Sequence, residues 1–361
     1  MDTESNEKGL MKQQEFLKLP KAEKVNIFNA SGDKSGIPPF AAEKDWWVVQ
    51  TLSAVFNTKA ASHLVFKGGT SLSKAWNLIQ RFSEDVDLSI DREFFGFQGE
   101  LNKNQRDNLK KTAGRYLDDV FYPEIKNQFG KNGFENVTVE LLPMEASDLD
   151  RKIDIVYPNV IPPPGYLLPR VQIEIGSRSL KEPFTVRNIS SLIDEHFPHF
   201  PFTNPPIRIP TVNPERTFIE KIFLLHEEFQ RPSEKRRVKR LSRHLYDIFQ
   251  LYKTPFALKA LNDEKLYTTI VNHRFTFNKV GSVNYNFHTP SKIRFIPLQE
   301  VLNDWENDYN EMLELMIYEE NPPSFDQLLD ELTKLNNLIN SLPWTLNREF
   351  PFPKNSNPRL E

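Results

Sequence analysis

Asp85 and Asp87 stand one residue apart in SEDVDLSI, where Val86, Leu88 and Ile90 alternate with Asp85, Asp87 and Ser89. That alternation predicts a half-buried strand, and its period of two places both carboxylates on one face. Two adjacent carboxylates on a rigid strand repel each other unless a cation sits between them. Hard oxygen donors of this kind suit Mg²⁺, which takes one or two carboxylates and completes its shell with water and phosphate oxygens. Upstream, His63 to Phe66 reads as a short buried strand running into Gly68 and Gly69. Thr70 or Ser71 can then cap a helix of about three turns, with Leu72, Trp76 and Ile79 on its apolar face. A glycine pair lets backbone N–H groups approach a phosphate, and a helix N-terminus favours negative charge. Strand, GGTS turn, helix and acidic strand together set a phosphate cradle facing a metal clamp, the minimum for two-metal phosphoryl or nucleotidyl transfer. The bland reading is a solvated acidic strand edge. Asp148-Leu149-Asp150 repeats the acidic triplet without the glycine turn and is given no role.

Three later segments, NVTVELLP (136–143), RKIDIVYP (151–158) and RVQIEIGS (170–177), also alternate and end near Pro or Gly. Asp154 in KIDIV and Glu174 in QIEIG are each flanked by isoleucine, as a third carboxylate on the open face of a core strand would be. Both stand as candidates, with Arg178 just beyond as a phosphate contact or an exposed strand end.

NPERTFIEKIFLLHEEF (213–229) predicts a helix. Asn213 caps it, Pro214 takes the first position, Glu215 complements the dipole, and Phe218, Ile222 and Leu225 make the buried stripe with Lys221 at its edge. The run RPSEKRRVKRLSR (231–243) holds seven basic residues in thirteen. Lys235, Arg236, Arg237, Lys239, Arg240 and Arg243 offer the local positive surface that a polyanion such as RNA needs, although a solvated loop has the same composition. The following helix buries Leu241, Leu245, Ile248 and Tyr252, with Arg243, His244 and Asp247 on the neighbouring stripe.

The remaining elements frame these groups. Residues before 35 suggest one or two docked helices, and PFAAEKDWWVVQTLSAVF a further one, whose Glu43, Lys44 and Asp45 line the site or its solvated face. Residues 101–133 are helical, with Leu109, Tyr116, Val120 and Phe121 roughly on one face. The proline-rich stretch 181–212 reads as a fixed crossing to a helical second half. Two amphipathic helices follow, and His273 and His288 stand isolated, without metal-ligand company. Asn303 to Glu314 reads as a solvated acidic face.

Composition bounds the class. The chain has 361 residues, 39 % hydrophobic and 26 % charged, as in soluble globular proteins. It has no cysteine, which excludes disulfides and thiolate metal sites. No apolar run approaches a membrane span and MDTESNEKG does not read as a signal peptide, so a cytoplasmic location without membrane contact is expected. A net charge of −3 confines any nucleic-acid surface to a local patch.

KGGTSL with SEDVDL, PERTFIEK with LH, and SRHLYD resemble, in that order, the AbiEii/AbiGii (MenT-like) nucleotidyltransferase toxins, a branch of the DNA polymerase β-like nucleotidyltransferases. EKDWWVVQTL is similar too, and the likeness spans about residues 35–250. It implies an α+β fold: a nucleotidyltransferase core of mixed sheet and helices over 1–205, then a mainly helical domain over 206–361 contributing Lys221 and Asp247 to the site. It implies Mg²⁺ on Asp85, Asp87 and Glu174, with Glu174 favoured over Asp154 although glutamate departs from the commoner aspartate. It carries nucleotide contacts onto Lys67, Gly68, Gly69, Thr70, Ser71, Ser83, Arg178 and Lys221. Asp247 would orient Lys221 or Arg243, or act as base for the acceptor hydroxyl. The implied reaction moves NMP from an NTP to RNA, particularly a tRNA 3′ end, as the toxin of a toxin–antitoxin or phage-defence system with a separate antitoxin. Two alternatives remain: a protein side chain as acceptor, or a module that binds nucleotide without turnover.

Overall fold

Alternating residues become a seven-stranded mixed sheet, and its register decides which charges meet. A computed structural model describes residues 15–83, 85–144, 150–162, 168–178 and 182–353. Asp148, Leu149 and Pro163 to Gly165 therefore lie outside the described residues. The strands are β1 (Leu64–Lys67), β2 (Asp85–Ile90), β3 (Thr138–Leu141), β4 (Arg151–Val156), β5 (Arg170–Gly176), β6 (Phe184–Ile189) and β7 (Ile207–Val212). They lie in the order β3-β4-β5-β2-β1-β7-β6. β2 runs parallel to β5 and β1 to β7, while the other neighbours are antiparallel. On one face Phe66, Val86, Leu88, Ile153, Ile155, Ile173 and Ile175 are buried in the core. The other face carries the polar residues of the same strands.

The helices are α1 (Lys21–Ser35), α2 (Pro39–Val55), α3 (Gly68–Lys74), α4 (Lys103–Tyr116), α5 (Tyr122–Lys131), α6 (Leu192–His196), α7 (Pro214–Phe229), α8 (Ser242–Tyr252), α9 (Pro255–Ala260), α10 (Glu264–Phe277), α11 (Leu302–Leu315) and α12 (Phe325–Asn340). None of the described helices is long and apolar enough to cross a membrane. The chain forms two compact units, one holding the residues up to Asn77 and Phe82–Val212, the other Leu78–Arg81 and everything from Asn213. The first contains the whole sheet and the second is helical, which is the α+β class expected.

Four local expectations change. α3 ends at Lys74, two turns rather than three, and Trp76 and Ile79 lie past it, where Asn77 takes a positive φ of 52°. Its N-cap is Lys67, with no capping bond from the side chain, so neither Thr70 nor Ser71 caps it. Asn213 does precede α7, yet its side chain makes no cap bond. Residues 184–189 and 207–212, expected as a crossing, pair as β6 and β7. Prolines argue against interior strands, and Pro210 is nonetheless accommodated opposite Val186.

Helix 101–133 also shifts its buried face. Leu109, Ala113, Leu117, Phe121, Ile125 and Phe129 are buried at steps of four, whereas Val120 is not. A step of four overshoots the 3.6-residue α-helical turn. The wide π turn at Leu117–Phe121 takes up part of that drift.

Ile155 is fully buried on β4, away from the acidic strand. Ile155→Ala should lower the unfolding free energy by about 2–5 kcal/mol, read from urea denaturation, with nucleotide binding unchanged.

Candidate active site

Register partners across a sheet share a face, and four charged side chains fall in one row. Lys152 pairs with Glu174, Glu174 with Asp87, and Asp87 with Lys67. Asp85 lies one pleat along β2, in a second row with Gln172 and Asp154. All but Asp154 in this set are half-buried or exposed; Asp154 is buried. Its carboxylate is bound by the guanidinium of Arg170 and, at 2.8 Å, by the amide of Gln172. Among the described residues Glu174 pairs with the Lys152 ammonium at 3.5 Å. Its pKa is raised, first by desolvation and then by the charges of Asp85 and Asp150, against the pull of Lys152. Between the two candidates for a third carboxylate, this geometry favours Glu174.

Among the described residues no group of three or more His, Cys, Asp or Glu side chains is arranged to hold a metal ion. Glu174 is thus not a third arm of a ready-made cluster. The face still fits a hard cation in the way Mg²⁺ usually binds, with one or two carboxylates and the rest of the shell from water and phosphates. Beside the larger effect of desolvation, the charges of Asp85 and Asp150 that raise the Glu174 pKa are ones a cation would relieve.

The glycine turn has a specific cause. Gly68 adopts φ +78°, and a Cβ there would overlap the Asp87 carboxylate. Glycine is therefore required both for the backbone conformation and for close approach to Asp87. Thr70 donates its hydroxyl to the carbonyl of Asp85 and lies 2.9 Å from the Ser83 hydroxyl. Ser71, fully buried, donates to the carbonyl of Gly68 at 2.9 Å. These hydroxyls hold the turn against β2; Ser71 in particular is closed to a ligand. Lys67, Gly69 and Ser83 remain half-buried around them. Arg178 is tied to Asp150 at 2.5 Å, so Asp150, given no role from sequence, borders the acidic row.

Glu43 and Asp45 are consumed by the fold. Glu43 accepts the backbone N–H groups of Val160 and Ile161 at 2.8 and 3.0 Å, and Asp45 that of Leu192 together with the Lys74 ammonium at 2.7 Å. One pleat beyond Asp87 on the same face, Val65 and Ser89 border a cavity of about 310 Å³ whose charged lining is Asp91, Glu93 and Glu182 with His63. That lining repels a polyphosphate.

In the helical unit, Lys221 is buried rather than at a stripe's edge, with its ammonium 2.8 Å from Asp247. Asp247 is fully buried, and Arg81 grips both of its oxygens at 2.6 and 2.7 Å. Burial alone would raise its pKa, but the charges of Arg81 and Lys221 overcome that and hold it far below the carboxylate range. Of the two roles expected for Asp247, this geometry suits orienting Lys221, since a carboxylate without solvent access, held by two cations, is a poor proton acceptor. Arg81 was not anticipated, since nothing local in the sequence links it to a partner 166 residues away.

The basic run is only partly available. Arg237 is bonded to the buried Glu228 at 2.7 Å, Arg236 to Glu300 and the carbonyl of Arg231, and the Arg240 backbone to Asp308. Lys235, Arg237, Lys239 and Arg240 are exposed, Arg236 and Arg243 half-buried. Asp308 also accepts the Ser242 N–H at 2.9 Å, so this part of the acidic 303–314 face holds the start of α8. His288 is not isolated either. It is buried 3.3 Å from Glu227, which Arg274 grips at 2.7 and 2.6 Å, and its ring packs on His226 and Tyr285.

A family profile for the nucleotidyl transferase AbiEii toxin of type IV toxin–antitoxin systems matches residues 50–331. The chain belongs to this AbiEii family of nucleotidyltransferase toxins. Among solved structures it is similar to MenT4, a nucleotidyltransferase toxin from Mycobacterium tuberculosis H37Rv, with 15 % identity, 90 % of this chain and 99 % of that one covered, and a TM-score of 0.45. It is also similar to JHP933 from Helicobacter pylori, with 14 % identity, 83 % and 91 % covered, and a TM-score of 0.41. No curated protein sequence matches.

Two outcomes test this geometry. Gly68→Ala should cut nucleotidyl transfer by more than about tenfold while the thermal melt shows a folded protein, because the new methyl displaces Asp87. Asp247 has a depressed folded pKa, so its stabilisation is present above the unfolded value of about 4 and is lost as pH falls through the folded one. Wild type should lose stability over that acid range in urea titrations, and an Asp247→Asn variant should lack that component.

Proposed function

We propose that this toxin transfers NMP from an NTP to an RNA acceptor, with a tRNA 3′ end as the favoured target and an antitoxin protein as its cellular partner. The observation that carries the reading is the paired carboxylate face, Asp85 and Asp87 beside Glu174, abutted by Gly68, where a Cβ would overlap Asp87. Mg²⁺ held by Asp85 and Asp87, with Glu174 adjoining, would supply positive charge to the acceptor oxygen and the triphosphate. In the reaction the acceptor hydroxyl oxygen bonds to the α-phosphorus, the bond from that phosphorus to the pyrophosphate oxygen breaks, and the hydroxyl proton leaves to solvent. Lys67 and the backbone of Gly68 and Gly69 serve the phosphates, and the Lys221 ammonium meets negative charge developing on the leaving pyrophosphate. Exposed Lys235, Lys239 and Arg240 serve the RNA backbone.

A second reading keeps the chemistry and changes the acceptor to a protein side chain. It is favoured by the ion pairs that already engage Arg236 and Arg237, which reduce the free positive charge of the basic run.

The deciding experiment incubates purified protein with Mg²⁺, total RNA and each α-labelled NTP in turn. Label should enter a discrete small-RNA band, drop by more than about a hundredfold in an Asp85→Ala/Asp87→Ala variant, and vanish with EDTA. Label on protein instead supports the second reading. A folded protein that binds NTP and labels nothing overturns both.

A further inference from the structure

Arg81, Asp247 and Lys221 form a buried set with two cations and one anion. Arg81 and Asp247 are 2 % and 0 % exposed at their side chains and Lys221 is 9 %. The formal charge of the set is therefore +1, in a place where ions normally occur paired. The bonding is unequal. Arg81 takes both carboxylate oxygens of Asp247 through Nε and Nη2, while Lys221 reaches only Oδ2. An ammonium has three N–H donors. One meets Asp247, a second points to His244 Nδ1 at 3.4 Å, and the third has no protein acceptor among the described residues.

The guanidinium is braced by its own segment. Gln80 donates its N–H to the Tyr246 hydroxyl at 3.3 Å and accepts that of Tyr318 at 3.0 Å, Arg81 bridges to Ile317, and Ile79 is buried. Tyr246 in turn donates to Glu319 at 2.9 Å.

We infer that Arg81 is a positioning residue for nucleotide binding: by satisfying both oxygens of Asp247 it leaves the charge and one N–H of Lys221 for the polyphosphate of the substrate. Without Arg81, Lys221 and Asp247 close into a neutral pair and the attraction for an anion is lost. The inference rests on the nucleotidyl-transfer reading. In support, the Lys221 amine lies below its ordinary pKa, chiefly through desolvation, with Arg81 and Arg243 lowering it further against the pull of Asp247. An anion brought to that amine relieves the same repulsion.

The test follows the charge of the set. Inorganic tripolyphosphate and each NTP are titrated calorimetrically into the full chain, with a thermal melt of every variant. Arg81→Gln takes the set to zero and should bind about tenfold more weakly or worse, with KM for NTP raised more than kcat is lowered. Arg81→Lys keeps +1 and should stay within about threefold of wild type. The double variant Arg81→Gln/Asp247→Asn restores +1 and should bind more tightly than Arg81→Gln alone. A purely structural arginine predicts the reverse, with the double variant the weaker. Arg81→Gln binding like wild type overturns the inference, as does a folded Arg81→Lys that is as weak as the glutamine variant; the lysine arm decides if the glutamine variant does not fold. Wild type that binds neither probe overturns the transfer reading itself.

Discussion

Like charge held on one face of a rigid sheet is the constraint from which the candidate site follows. Asp87 and Glu174 oppose each other because β2 and β5 are parallel neighbours in that register, and Asp85 joins them because a strand returns to the same face every second residue. The core on the opposite face prevents escape, since a one-residue slip would bury the carboxylates and expose Val86 and Ile173. Lys67 and Lys152 flank the row on the outer strands and partly balance it. Desolvation first, and then the charges of Asp85 and Asp150, raise the Glu174 pKa against the pull of Lys152. Such a surface is costly as a purely structural feature and useful where a cation and a polyphosphate come and go.

The helical unit meets the opposite problem. Its buried carboxylate, Asp247, carries more cation than it needs, and the surplus resides on a lysine. A buried Lys–Asp pair alone would be inert toward anions; a second cation on the same carboxylate turns the lysine into a donor. His244 stays neutral beside it, its pKa held down by burial and then by Lys221 and Arg243, so it accepts from the ammonium instead of adding charge. Glu227, His226, His288 and Arg274 form a contrasting network in which charge is balanced internally. Burial takes the His226 pKa to about 3. That set holds α7 to α10 and to the turn at His288, and it shows why a histidine in a motif need not touch substrate.

Sequence alone determined the elements whose signal is local. Period two marked β2, β3, β4 and β5, a short buried run marked β1, and the first-turn proline and apolar stripe marked α7 almost to the residue. Asp85 and Asp87 sharing a face is a property of any strand, and the need for glycine before α3 was legible as a turn, though its reason was not. What tertiary structure decided are relations across long separations. Parallel pairing of β2 with β5 set Glu174 beside Asp87, while Arg170 and Gln172 withdrew Asp154. Helix α2 proved buried nearly all round, with Glu43 and Asp45 bound to backbone rather than facing a site. β6 and β7 were hidden because proline speaks against strands locally, whereas pairing is a non-local gain. Arg81 reaches Asp247 only once the chain has folded, because no periodicity connects residues that far apart. Hydrophobic period and turn chemistry act over a few residues and can be read from the chain; ion pairing and desolvation depend on distance in space.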